Sequence, residues 1–479
     1  MKTPGALAAF GALILAGCAT PHSKVAVAPV PSASLGLGSA AAPRIAADWW
    51  TALGDPQLDR IMADALSGSP TLDSALARVR EARSVLAGSQ AARLPQITGD
   101  ASEQYQRLSS RYIIPPPYGG SFRWVGQAQA NLSWDLDFWG KQADAIRQAS
   151  HAADAAALDY DAARLALAGS VAQTYIELAR AERQIAIAQS TVGQRDQSLR
   201  LARLRVKSQL DSSIDVRAAE TLLAEARQAL VRAQGQREMV IHALALLAGR
   251  GADYYPTIRP TTLKLDAVLP LPKELPADLL ARRPDILSAK ARIEAAASGR
   301  KVARKAFYPD INLLGLAGLQ ALGIGNLFTG GASTYGVGAA IHLPIFEGGK
   351  LKADYEGATA RVDAAIAAYN QAVLGAVRET ADALTGARTV SADLAQQRQA
   401  AAGLADVRRL NDVRVATGLS SRFDLIGSDV RLLQAQQETA NLEADRAVAG
   451  IKLLVAVGGG FDPAAPAVAS AVADARTAP

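Results

Sequence analysis

The chain has 479 residues, 49% of them hydrophobic but only 5% aromatic, with 51 basic and 45 acidic side chains interspersed. That apolar share argues against disorder of the whole chain, and its small aliphatic character favours helices with close backbone approach. One cysteine excludes a disulfide scaffold or a multi-cysteine metal site, His22, His151, His242 and His342 have no metal-ligand spacing, and the absence of a basic block argues against nucleic-acid binding.

The N-terminus has Lys2, an apolar stretch from Ala6 to Leu15, and then Ala16-Gly17-Cys18. A charged start, a short apolar core and small residues describe a secretory signal over residues 1–17. Leu15-Ala16-Gly17-Cys18 resembles the bacterial lipoprotein box, in which the cysteine becomes the first residue and carries lipid. Ala19, in place of an aspartate, by the same resemblance favours outer-membrane sorting. The plainer reading is a signal cut elsewhere, with Cys18 lost. Residues 18–44 are rich in Ala, Pro, Ser and Gly and read as a linker. No later run of 18 apolar residues offers a spanning helix, but short alternating strands leave a membrane β-barrel open.

From about residue 45 the chain is a duplication. Ser69-Pro70-Thr71-Leu72 corresponds to Arg283-Pro284-Asp285-Ile286 at an offset of about 214. Arg205, Val206, Leu210, Ser212 and Asp215 correspond to Arg414, Val415, Leu419, Ser421 and Asp424 at about 209. The first repeat covers 45–250 and the second 276–457, with a linker at 251–275. Each repeat reads as a short helix, two strands and a long helical hairpin. Pro70 and Pro284 suit a first helical turn, for helices to about Arg93 and Phe307.

The hydrophobic period then becomes 2. Strands are expected at about 95–108 and 122–138, and again at about 309–320 and 334–345. In the second strand Phe122, Trp124, Ala128, Ala130, Leu132, Trp134, Leu136 and Phe138 share one face, opposite a polar one, with Val125 and Gly126 breaking the alternation. Aromatics toward both ends of the apolar face suit a barrel with lipid outside and water inside. His342 reads as a lumen-facing strand residue. The helical hairpins span 141–249 and 350–457, and about 65 residues of helix reach roughly 100 Å. Four strands cannot close a pore, so the chain must oligomerise; three copies give twelve strands.

These residues resemble the TolC-like outer-membrane efflux proteins, in their NodT/OprM-like lipoprotein branch. The resemblance covers about residues 45–462. It rests on Trp49-Trp50, Asp55-Pro56-Gln57-Leu58, Leu275-Pro276 to Ile286, Ala303 to Pro309, Pro344 to Lys350 and Gly458-Gly459-Gly460. It implies a mixed α and β membrane protein: a trimeric channel-tunnel whose 12-stranded β-barrel is continued by a helical coiled-coil barrel. Segments near 45–69, 250–275 and 455–462 would form a belt. The implied function is the exit duct of a tripartite pump in the cell outer membrane, reaching into the periplasm. Its implied partners are two further copies, a periplasmic adaptor, an inner-membrane RND-type transporter and outer-membrane lipid, with no nucleic acid. No cofactor is expected beyond the lipid on Cys18, and no triad, phosphate loop or metal constellation suggests an enzyme. Type I protein secretion is the alternative, and a periplasmic coiled-coil tether a weaker one.

By the same resemblance the adaptor docks at the two helix–helix turns, through Gln209, Leu210, Asp211 and Ser212 in the first and Gly418, Leu419, Ser420 and Ser421 in the second. Ordinary turn chemistry also explains small polar residues there. Gln209 stands where the family usually has glycine. Phe423 and Asp424 fall where the family places the periplasmic gate; the plainer reading is that Phe423 packs between helices and Asp424 caps one. A disordered tail is expected from about 463, within a C-terminal segment of 458–479.

Overall fold

A computed structural model describes residues 23–38, 45–111, 114–263, 265, 274, 276 and 278–464. The signal peptide, Cys18 and the tail beyond residue 464 lie outside the described residues, as does most of 264–277. The described residues form two compact units. One holds the described part of Met1–Pro29 with Val79–Ala156 and Ala289–Tyr369. The other holds Val30–Arg78, Ala157–Ser288 and the described part of Asn370–Pro479.

Helix α1 (Pro56–Gly68) precedes α2 (Pro70–Ala91). Strands β1 (Gln96–Arg107) and β2 (Phe122–Asp135) follow, then helices α3 (Lys141–Lys207) and α4 (Ser213–Leu247). The second repeat has α5 (Leu279–Arg282), α6 (Pro284–Lys305), β3 (Asp310–Leu322), β4 (Ser333–His342), α7 (Lys350–Ala416) and α8 (Arg422–Ala456). Each repeat thus places a helix ahead of its proline-started one: α1 with Asp55 as N-cap and Pro56 in the first turn, and short α5. The buried positions Leu58, Ile61, Met62 and Ala65 follow helical spacing, so α1 is a helix where the sequence reading had an unassigned belt segment.

The first unit is built on one antiparallel sheet in the order β1-β2-β3-β4. Its register runs Gln96↔Ser133 to Arg107↔Phe122, Val125↔Leu322 to Asp135↔Asn312, and Asp310↔His342 to Leu319↔Ser333. Pairing is continuous through Val125 and Gly126, so the strand runs on without a bulge, with Val125 on the polar face and Gly126 on the apolar one as exceptions to the alternation. The register lines up Ala130, Ala317 and Tyr335, and Leu132, Gly315 and Val337, on one face. Tyr105 meets Trp124 at that face, with ring centroids 5.2 Å apart. Polar partners meet on the opposite face: Asn131 donates to Asp100 at 2.7 Å, and Asn312 donates to Ser133 at 3.0 Å.

Two strand ends fall short of the expected 138 and 345. β2 stops at Asp135 because Asp137 turns its carboxylate to the first amides of α3, accepting from Gln142 at 2.9 Å and Ala143 at 2.8 Å. β4 stops at His342, just before Pro344, which has no N–H for a ladder. β3 instead extends to Leu322.

The second unit shows what several of the quoted motifs do. Asp55 is buried and gathers four donors: the Gln57 amide at 2.9 Å, the Tyr175 hydroxyl at 2.8 Å, the Thr261 hydroxyl at 2.7 Å and the Thr262 amide at 2.9 Å. Burial by itself would raise the Asp55 pKa, but these hydrogen bonds outweigh it and hold the carboxyl below its ordinary value. Arg283 forks onto Asp285, reaches Glu379 at 2.9 Å and donates to the carbonyl of Ala456 at 2.9 Å, tying the start of α6 to α7 and the end of α8. Gly458, Gly459 and Gly460 all have positive φ, and a Cβ on Gly458 would lie 2.2 Å from the Arg282 carbonyl oxygen. No larger residue fits that approach. Alanines fill much of the long-helix contacts: Ala168, Ala172, Ala179 and Ala181 of α3 are buried, around Val171 and Tyr175.

The Asp55 network sets an acid limit. A carboxyl whose folded pKa lies below its unfolded value contributes stability above the ordinary carboxylate range, and that contribution is lost as pH falls through the folded value. Asp55→Asn should therefore cost about 1–3 kcal/mol at neutral pH. It should also flatten the loss of stability below about pH 4, read from acid unfolding of the detergent-solubilised protein.

Candidate functional sites at the helical tips

Both hairpins turn by the same backbone device. In the first, the Leu210 amide donates to the Arg205 carbonyl at 2.9 Å and the Gln209 amide to Val206 at 3.0 Å. In the second, Leu419 donates to Arg414 at 2.8 Å and Gly418 to Val415 at 3.1 Å. This is the Schellman pair of bonds, with Gln209 (φ 56°) and Gly418 (φ 75°) at the left-handed position. The glycine carries no steric penalty there, whereas Gln209 is the lone non-glycine residue of positive φ among the described residues.

The helices that leave the turns start with matching capping boxes. The Ser212 hydroxyl accepts from the Ile214 amide at 3.2 Å, and the Asp215 carboxylate accepts from the Ser212 amide at 3.3 Å. In the second tip the Asp424 amide donates to the Ser421 hydroxyl at 3.3 Å. The Asp424 carboxylate accepts from the Ser421 amide at 3.0 Å and from the Ser421 and Ser420 hydroxyls, both at 2.8 Å. The Ser421 hydroxyl first, then that of Ser420 and the Ser421 amide, hold the Asp424 pKa below its ordinary value. Asp424 is therefore an ionised helix cap, the plainer of its two readings.

A cross-hairpin contact joins the tips. Arg205 pairs with Asp211 at 2.6 Å and lies over the Phe423 ring, 5.4 Å from its centroid. Phe423 also packs on the cluster of Leu199, Ala202, Ala219 and Leu223. Phe423 is thus seated against the first hairpin, as its packing reading has it. The sequence reading had not singled out Arg205, although the 209-residue offset pairs it with Arg414. That offset also pairs Phe423 with Ile214, which is exposed.

A Schellman turn ordinarily buries the apolar residue just past the left-handed position against its own helix. Leu210 and Leu419 hold that position and remain 69% and 72% exposed. Both tips therefore present a leucine on a backbone fixed by its own hydrogen bonds and caps. Such residues suit contact with another protein.

The sequence profile of the outer membrane efflux protein family matches residues 61–250 and 275–459. The fusaric acid resistance protein FusA of Burkholderia cepacia is 36% identical over 365 residues, covering 73% of this chain and 68% of the relative. The multidrug resistance outer membrane protein MdtP of Escherichia coli is 28% identical, covering 94% of each chain. Among solved structures, the outer membrane protein VceC of Vibrio cholerae superposes with a TM-score of 0.79 at 30% identity, over 87% of this chain and all of that one.

Replacing Gln209 by glycine removes the left-handed penalty, a change of about 0.5–1 kcal/mol. Hydrogen exchange at the Gln209 and Leu210 amides should slow accordingly, while the Gly418 turn is unchanged.

Proposed function

The chain belongs to the outer membrane efflux protein family, and on that premise we propose that it is the exit duct of a tripartite efflux pump. It carries small molecules passively, from a periplasmic adaptor and an RND-type inner-membrane transporter to the outside. The four-stranded sheet supports this reading: its outer strands β1 and β4 each have one unpaired edge, which lipid cannot satisfy. Three copies close those edges as a twelve-stranded barrel. Cys18, after signal cleavage, carries the lipid that anchors the mature N-terminus to the outer membrane.

The observation that carries adaptor docking is the exposure of Leu210 and Leu419 on hydrogen-bonded turns. The adaptor contacts Gln209, Leu210, Asp211 and Ser212 at one tip and Gly418, Leu419, Ser420 and Ser421 at the other. Just inside the second tip, threefold symmetry gathers the Asp424 carboxylates into the periplasmic constriction, with Phe423 bracing that position through its packing on the first hairpin. With its pKa lowered by the capping hydroxyls, Asp424 stays charged at neutral pH and favours cations there.

A photo-crosslinking residue at Ser420 in living cells should capture an adaptor that serves a proton-driven pump. An adaptor of an ATP-driven protein exporter would replace efflux by secretion, and capture of cell-wall proteins alone would sink the docking assignment. Leu419→Asp should weaken adaptor binding by about 2 kcal/mol, the scale of an interface anchor, without lowering the amount of folded channel.

In planar bilayers Asp424→Asn should reduce the cation preference of the channel. An unchanged preference would leave Asp424 as a cap and nothing more.

A further inference from the structure

An extended strap lies along the start of α7. The carbonyl of Ser23 accepts from Arg300, which also donates to the Tyr355 hydroxyl at 2.7 Å and the Thr359 hydroxyl at 3.0 Å. Three residues later the Ala26 and Val27 amides donate to the Asp363 carboxylate, at 2.8 and 2.9 Å. Going back from Ala26 to Ser23, the strap therefore moves from the level of Asp363 to that of Thr359 and Tyr355. That direction leads toward Lys350 and the end of β4.

Between β4 and α7 stands a short elbow. Its Ile345 and Phe346 are 78% and 89% exposed, although both are apolar. Phe346 is the most exposed large apolar side chain among the described residues. The elbow follows His342, the last residue of β4, whose neighbour Ile341 lies on the apolar face of the sheet and is itself exposed, so the elbow sits at the edge of that face.

The length of chain ahead of the strap fits this distance. From Asp363 back to Lys350 is thirteen residues of helix, about 20 Å at 1.5 Å per residue. From Ala26 back to Cys18 is eight residues, at most about 26–29 Å of extended chain. Cys18 can thus reach past the first residue of α7 to the elbow, with only about 6–9 Å to spare. A residue so tethered cannot carry its lipid far along the bilayer.

We propose that Ile345 and Phe346 seat the acyl chains carried by Cys18 of the same chain. The proposal rests on the lipoprotein reading of Cys18. Acyl chains on that cysteine enter the membrane beside the elbow, and covering two large apolar side chains holds them there. The lipid then does more than anchor the N-terminus: it fixes the start of α7 at the membrane surface.

The test uses the full chain in cells fed a clickable fatty acid that bears a diazirine. After illumination, the channel is purified, denatured and digested, and peptides joined through the acyl group are identified. The expected result, in the monomer band, is the acylated N-terminal peptide linked to the peptide that holds Ile345 and Phe346. The double variant Ile345→Ser and Phe346→Ser, matched for folded channel, should lose that linkage about tenfold, the factor carried by about 1.4 kcal/mol. Retention of the linkage in the variant would overturn the seat. So would an acylated N-terminal peptide linked only to phospholipid, to another part of the chain or to a second copy, and each of these leaves the lipoprotein reading standing. An N-terminal peptide without any acyl group would overturn the lipoprotein reading and the seat with it.

Discussion

The open edges of the sheet are the constraint on which the rest depends. β1 and β4 each pair on one side only, and the sheet turns a face of Ile, Leu, Val, Trp and Tyr outward. In hydrocarbon an unpaired backbone group costs several kcal/mol, so such edges persist only when another chain covers them. The strands, 10 to 14 residues long, suit tilted crossings of a bilayer. Among the described residues no helix is long and apolar enough to take over that task. A single chain of this kind is thus an incomplete wall, and its exposed aromatics are the surface of a larger assembly.

The helices face the opposite problem. α3 and α7 are 67 residues each; α3 buries many alanines, which permit close approach but bury little area per residue, whereas α7 buries chiefly Tyr355, Val362, Ile366, Val373 and Leu394. Polar bridges add specificity along the way, such as Gln184 to Asn441 at 2.9 Å and Arg237 to Glu182 at 3.2 Å. At the tips the turn residues lie beyond the cluster of Leu199, Ala202, Ala219 and Leu223, so the turns themselves are held by local bonds. That explains why both use the same Schellman turn and the same serine–aspartate box, and why an exposed leucine can be displayed there without unravelling the turn.

How legible this was depended on the range of the interactions. The duplication, the alternating strands and the hairpins are written in periods of 2, 3.6 and about 209 to 214 residues, and the chain follows them. Strand ends were less readable, because Asp137 serves a helix cap where alternation alone would continue the strand. α1 does carry a local signal: Asp55 and Pro56 at its start and Leu58, Ile61, Met62 and Ala65 on one face. The clamps were out of reach. Nothing local to Asp55 announces Thr261, 206 residues away, and nothing near Arg283 announces Glu379 or the carbonyl of Ala456. At the tips the residues were legible but their conformations were not: glutamine gives no hint that its φ will be 56°.

The motifs that make the family recognisable are for the most part not the ones that distinguish what a duct does. Asp55, Arg283 and the three glycines at 458–460 are held by burial, by several bonds each or by close backbone approach, so their chemistry is spent within the fold. A change at any of them is felt as stability. The tips differ in kind: their leucines and small polar residues are tied down through the backbone, and the side chains are left over. A change at the tips can therefore leave the wall undisturbed, and the cost of holding Gln209 at positive φ is confined to one turn.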